Sequence, residues 1–292
     1  LYKISQNEFD INLLPITTAL HYLPPKTYIE KFSFDFRVKQ VVDIEAFKIR
    51  LIENGYLNVD KVLSPGEFAI RGSIIDIYPM GSVVPYRIDF FGNEIDSIRT
   101  FDVDTQRGLY PTKKIKLLPA REFPLDADGI SKFRDNYRTK IDGDLSRSKP
   151  YKSISKGTPF AGIEWYLPLF FDETETIFDY INPEDMTLQL GDVSKASNDY
   201  QTEAYSRYRL YSHDPERPIL EISDLLLSTD HFFKKINQFE QINKTKNKAP
   251  VKFDVAIERG ELPPLRKLKK FIGKDKKKIL ICTDGLGRRE SV

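Results

Sequence analysis

Between Val59 and Leu118, apolar and polar residues alternate in short runs, the period-two signature of half-buried strands. Glu67–Arg71, Ile74–Tyr78, Tyr86–Phe91 and Glu94–Phe101 are the clearest runs. Ser64-Pro65-Gly66 and Pro79-Met80-Gly81-Ser82 read as turns, and Gly92-Asn93 is a two-residue hairpin signal. Upstream, residues 43–55 place Ile44, Phe47, Leu51 and Ile52 at near-helical spacing ahead of Gly55, a natural helix stop. The pattern predicts one α+β domain over residues 33–119.

The period changes after Leu117-Leu118-Pro119-Ala120. Helices are predicted over 126–137, with Ile130, Phe133 and Tyr137 on one side, and over 195–211, with Tyr200, Ala204, Tyr208 and Tyr211 in register. Two more are predicted, over 225–239 and 264–272. Residues 142–158, rich in Ser, Lys and Gly, read as a loop. Residues 160–171 form an apolar aromatic stretch carrying Trp165, and strands are predicted over 186–190, 251–257 and 278–283. This half reads as α/β. Residues 1–32, with Pro24-Pro25, read as the tail of an element that begins upstream.

One strand combines unusual side chains. In Tyr86–Phe91, residues Tyr86, Ile88 and Phe90 share one face, and Arg87, Asp89 and Phe91 share the other. Two charges beside a large apolar ring make an unusual solvent face, and aromatic and Arg residues clustered together are typical of binding hot spots. The pattern also admits a plainer arrangement, with Phe91 under a loop and Arg87 paired to Asp89. Arg71 alternates outward in the same way, and Gly72 after it would let another strand or chain approach.

Composition narrows the class. At 292 residues the chain is sized for about two domains. The balance of 45 Lys+Arg against 43 Asp+Glu argues against a polyanion grip through bulk charge. The single Cys282 permits no internal disulfide and suits a reducing cytosol. The longest apolar runs fall well short of the ~18 residues of a membrane helix. Leu1 in place of Met and the stop at Val292 read as cuts through a longer protein. Residues 266–278 hold eight Lys/Arg and one Asp, which fits either a nucleic-acid contact or an ordinary solvated helix face. The turn at Gly285-Leu286-Gly287 could cradle phosphate, but Glu290 stands where the last glycine of a dinucleotide fingerprint belongs. No phosphate loop, HExxH or GxSxG is present, and His21, His213 and His231 are scattered.

The block GEFAIRGSIIDIYPMGSVVPYRIDFFGNEIDSIRTFDVDTQR (66–107) resembles the UvrB-like module of the bacterial transcription-repair coupling factors (Mfd). LLPAREFP (117–124), SKGTPFAGIEWYLPLFF (155–171) and GRRE (287–290) are similar to the same family. The resemblance implies a multidomain α/β and α+β fragment. Residues 1–32 would end the first half of a degenerate helicase-like (RecA-like) α/β domain, and 120–255 would form its second half. Residues 33–119 would be an inserted UvrA-binding α+β domain with a twisted antiparallel sheet, and 256–292 would begin a small following domain. The implied function is non-catalytic: recruitment of UvrA to lesions where RNA polymerase has stalled. The family's UvrA-contacting positions fall on Arg71, Arg87 and Phe91, with Asp89 beside them orienting Arg87. No cofactor is expected in this segment. ATP and Mg, RNA polymerase and double-stranded DNA would engage other parts of the parent, a bacterial cytoplasmic, nucleoid-associated translocase. In that parent a far C-terminal domain would cover the UvrA-binding face. Two alternatives stay open, a fragment of a UvrB-type damage-binding helicase and a direct DNA-binding fragment using 266–278.

Overall fold

The structure, a computed structural model, describes residues 1–242 and 265–274, which belong to two units, Leu1–Ile242 and Asn243–Val292. In the first unit three short helices, α1 (Tyr2–Ser5), α2 (Ile16–Ala19) and α3 (Lys26–Lys31), precede the sheet. Apolar residues of this opening stretch pack on segments far along the chain. Leu20, Tyr28 and Ile29 join a core with Ile177, Phe178, Tyr180, Phe232 and Phe239. Backbone contacts tie the same segments: Leu23 N–H donates to Glu175 O (2.7 Å) and Leu227 N–H to Leu20 O (2.8 Å).

The chain leaves this core along β1 (Phe34–Arg37) and returns along its antiparallel partner β8 (Lys114–Leu117). Between them lie α4 (Ile44–Glu53) and the strands β2 (Leu57–Asn58), β3 (Glu67–Arg71), β4 (Ile74–Ile77), β5 (Tyr86–Phe91), β6 (Glu94–Phe101) and β7 (Gly108–Thr112). The six strands form one sheet in sequence order, antiparallel except for the β2–β3 pair. The Asp43 carboxylate starts α4 by accepting from the backbone N–H of Glu45 and Ala46. Gly55, at φ +89°, then stops it as predicted. Phe47 and Leu51 of α4 are buried against Phe68, Ile75, Ile77, Ile88 and Ile98 of the sheet. Ile52, predicted for the same face, is instead exposed.

The β5–β6 pairing slips between Asp89 and Phe90. Ile95 and Ile98, three residues apart, would face opposite sides of a regular strand. The slip lets both enter the core, and both are at most 1% exposed.

From residue 120 to 242 the described structure is mainly helical: α5 (Ala127–Lys140), α6 (Lys149–Ser155), a 3₁₀ turn at Ile163–Phe170, α7 (Ile177–Tyr180), α8 (Val193–Tyr211), α9 (Ile222–Leu225) and α10 (Thr229–Ile236). Phe133 and Tyr137 of α5 are buried, on the side predicted for them. The strand predicted over 186–190 is reduced to β9 (Met186–Thr187), paired in parallel with β10 (Glu240–Gln241). Two readings are corrected. The loop predicted over 142–158 contains α6, started by the Ser148 side chain with Pro150 in its first turn. The helix predicted over 225–239 is broken at Leu226–Ser228, where the backbone pairs with Leu20 and His21 and Ser228 caps a new helix. In the second unit, α11 (Arg266–Lys274) is the described element. The strands predicted at 251–257 and 278–283, Cys282 and the 285–287 turn lie outside the described residues. Among the described residues no helix is long and apolar enough to cross a membrane.

Candidate functional site

The face of the sheet opposite α4 is charged. Strand register sets Ala69, Asp76, Arg87 and Arg99 side by side on β3–β6, with Arg71, Asp89 and Ser97 one step along on the same face. Asp76 is the hub. Its side chain is 0% exposed, yet it accepts from two arginines on the flanking strands. Arg87 approaches it as a fork, Nε to Oδ1 at 2.6 Å and Nη2 to Oδ2 at 2.8 Å, and Arg71 Nη2 also bonds Oδ2. Two cations on one carboxylate leave this cluster with a net positive charge, and the bidentate geometry makes it rigid.

Arg87 is pinned further. Its Nη1 donates to Gln106 O at 3.2 Å, and its guanidinium lies 5.2 Å from the centre of the buried Phe101 ring. Its hydrogen bonds to Asp76 push its already high pKa higher still. Only 18% of the Arg87 side chain reaches solvent, against 50% for Arg71. Arg71 is therefore the more accessible arm of the pair.

Asp89 does not orient Arg87. It accepts from the Ser97 hydroxyl (2.7 Å) and from Arg99, forming a second and separate ion pair. The orienting carboxylate is Asp76, which sequence alternation placed in an ordinary strand. Arg99, which strand alternation does not single out, has a buried Nε without a hydrogen-bond partner among the described residues. A charged residue in the outward register of β4 and another in that of β6 were the available signals, but neither says which strands are neighbours.

Phe91 ends β5, paired with Glu94 across the two-residue Gly92-Asn93 turn, where Gly92 holds φ +60°. Its neighbour Phe90 is buried at 6% and Phe91 is 84% exposed, so no loop covers the ring. Val41, which bridges to Glu94, adds a second exposed apolar side chain next to this turn. Gly72 also has a local explanation: it sits in the β3–β4 turn at φ +61°, a conformation glycine adopts without strain, and needs no approaching chain to account for it. The arrangement can hold an anionic group on Arg71 while an apolar pocket closes over Phe91. Among the described residues no group of three or more His, Cys, Asp or Glu could hold a metal ion.

Residues 34–123 match the family described as UvrB interaction domain. The full chain is 36% identical to the Transcription-repair-coupling factor of Haemophilus influenzae and 32% identical to that of Escherichia coli, covering 26% of each relative. It is 29% identical to the Bacillus subtilis protein of the same name over 66% of this chain and 18% of that protein. The chain thus spans about a quarter of the length of the two relatives that match it throughout.

Proposed function

The chain belongs to the transcription-repair-coupling factor family, and we propose that the charged face of its UvrB interaction domain is a docking surface for UvrA. The observation that carries this reading is Phe91, a large ring left 84% exposed at the end of a strand whose same face holds a fixed arginine cluster. Aromatic and Arg side chains together are the usual energetic centre of a protein interface. Arg71 and Phe91 are the contacts, Arg87 is the rigid base of the cluster with a small exposed edge, and Asp89 contributes by fixing Arg99.

In this reading the segment performs no chemistry. It recruits UvrA in transcription-coupled nucleotide excision repair. ATP-driven translocation with Mg, the grip on double-stranded DNA and the contact with RNA polymerase belong to other parts of the parent, one of which covers this face at rest. The domain division follows the same reading: 33–119 is an insert, with 1–32 and 120–255 as the two halves of a degenerate helicase-like domain and 256 onward as a further small domain. The shared core of Leu20, Tyr28, Ile29, Phe178 and Phe232 supports joining the segments on either side of the insert.

The test is a titration of UvrA with the wild-type chain, Arg71→Ala, Phe91→Ala and an Arg71/Arg87/Phe91 triple alanine variant. A hot-spot contact contributes about 2 kcal/mol or more, so Phe91→Ala should weaken Kd by at least ~30-fold. Wild-type affinity in both Arg71→Ala and Phe91→Ala would overturn the assignment of this face.

A further inference from the structure

An open cavity of about 500 Å³ lies in the first unit, between the opening stretch of the chain, α7 and the residues that follow α10. Its volume falls within the ~300–1,000 Å³ usual for small-molecule sites. The apolar part of its wall is formed by Phe178, Tyr180 and Phe239, three buried rings of one core, with the half-buried Ile181 beside them. Its polar part is formed by Asn7, Lys26, Asn182 and Gln238, each from a different segment of the chain. Asn7 holds a left-handed backbone, φ +52°, which Asn adopts more readily than most residues with a side chain.

These polar side chains are short of partners. The half-buried Lys26 donates its backbone N–H to Glu175 Oε2 at 2.8 Å, but its ammonium makes no hydrogen bond or ion pair among the described residues. The side-chain amides of Asn7 and Gln238 have no hydrogen bond among the described residues either. Asn182 commits its Oδ1 to the Glu184 N–H (3.1 Å) and keeps its NH₂ group for another acceptor. Asp179, the carboxylate of the wall, is already engaged. Its Oδ2 accepts from the Thr176 N–H and hydroxyl, and its Oδ1 from Lys235 at 2.8 Å. Lys26 is therefore the one unpaired charge of the wall among the described residues, with amide donors and an aromatic floor around it.

We propose that this cavity binds a small organic carboxylate with a flat apolar body. One unpaired cation matches one negative charge, and the amide N–H groups can serve the remaining lone pairs of the carboxylate. A phosphate dianion is disfavoured, because the wall offers neither an arginine fork nor a second unpaired cation. The aromatic floor receives the apolar body. A ligand held here would bridge residues 5–26 to residues 178–239, on either side of the sheet domain, and would stabilise that junction by mass action. The cavity is built from the helical core and none of its wall comes from the charged sheet face, so this site is independent of the UvrA reading.

The test is an NMR titration of the whole nitrogen-15-labelled chain with three probes of similar shape: phenylacetate, the neutral phenylacetamide and the cationic phenethylamine. At ordinary ligand efficiency a probe of about ten non-hydrogen atoms gives a Kd of about 1 mM. The side-chain NH₂ signals of Asn7, Asn182 and Gln238 should shift. Phenylacetate should bind about tenfold more tightly than phenylacetamide, the usual effect of a hydrogen bond to a charged group, and phenethylamine should bind most weakly. Lys26→Met should abolish that tenfold preference with an unchanged thermal midpoint, and Lys26→Arg should keep it. Gln238→Ala should weaken phenylacetate about threefold. The UvrA titration should stay at wild type in all three variants. No shift with phenylacetate at about 10 mM, well above the expected Kd, would overturn the proposal. So would equal affinity for the acid and the amide, an unchanged preference in Lys26→Met, or shifts with inorganic phosphate but none with phenylacetate.

Discussion

Replacing Arg87 by alanine is expected to destabilise the sheet domain, although strand alternation alone makes it a surface residue. The side chain supplies two of the three hydrogen bonds received by Asp76, whose carboxylate has no access to water. Its removal leaves Oδ1 unbonded in the interior and one cation, Arg71, at the other oxygen. Removing one partner of a fully buried ion pair costs about 3–5 kcal/mol. The remaining Arg71 bond and the partial exposure of Arg87 place this case at the lower end, about 3 kcal/mol. At 1.4 kcal/mol per factor of ten, amide exchange at Ile75 and Ile88, in the strands carrying Asp76 and Arg87, should accelerate about a hundredfold. Asp76→Asn/Arg87→Met removes both charges and should recover a substantial part of that loss. Native-like protection in Arg87→Ala would refute the claim that Asp76 depends on this arginine. The effect also governs how binding data are interpreted: loss of UvrA binding in Arg87→Ala confounds contact with folding, whereas Phe91→Ala should change stability by no more than about 0.5 kcal/mol and isolates the contact.

Ser148→Ala should cost about 2 kcal/mol in denaturant titration, because the hydroxyl both accepts from Tyr151 N–H at the start of α6 and bonds the buried Tyr137 hydroxyl at 2.6 Å; a loss below 0.5 kcal/mol would contradict this double role. Gly129→Ala should cost about 1–3 kcal/mol by the same assay, since the new methyl would lie 2.6 Å from the Pro124 carbonyl oxygen in a buried turn. Burial holds His21 below its ordinary value of 6.5, so the unfolded chain takes up its proton first. Stability should therefore fall as pH drops through 6.5 and stop responding to this group once pH is below its folded value. Urea midpoints between pH 8 and 5 should decline less in His21→Gln than in the wild type, and parallel profiles would remove His21 as the source.

Local pattern was most informative where local forces decide the outcome. Glu67–Arg71, Tyr86–Phe91 and Glu94–Phe101 form strands over the predicted bounds, and Gly92-Asn93 forms the predicted turn. These elements carry strong alternation and glycine at the position of positive φ. The α10 region failed for a nonlocal reason. Leu226–Phe239 has enough apolar residues for one helix, but Leu226 and Leu227 are drawn into backbone pairing with His21 and Leu20, about 200 residues earlier in the chain. The polar composition of residues 142–158 reads as a loop, yet the Ser148-Lys149-Pro150 start carries a local capping signal for α6.

The same division runs through the candidate site. By itself the sequence determined that Arg71, Arg87, Asp89 and Phe91 leave β3 and β5 on the outer face, that Phe91 stands beside a tight turn, and that the 66–124 motifs resemble one family, because alternation, turn chemistry and motif spacing are all local. The tertiary structure decided the partnerships. Whether Arg87 meets Asp76 or Asp89 depends on the register between β4 and β5, and on a slip in β6 that hands Asp89 to Arg99 and Ser97. Register is settled by what the whole sheet must bury, and a one-residue shift would move every core residue to the wrong face. That is why the carboxylate holding the two arginines, Asp76, emerged only from the fold.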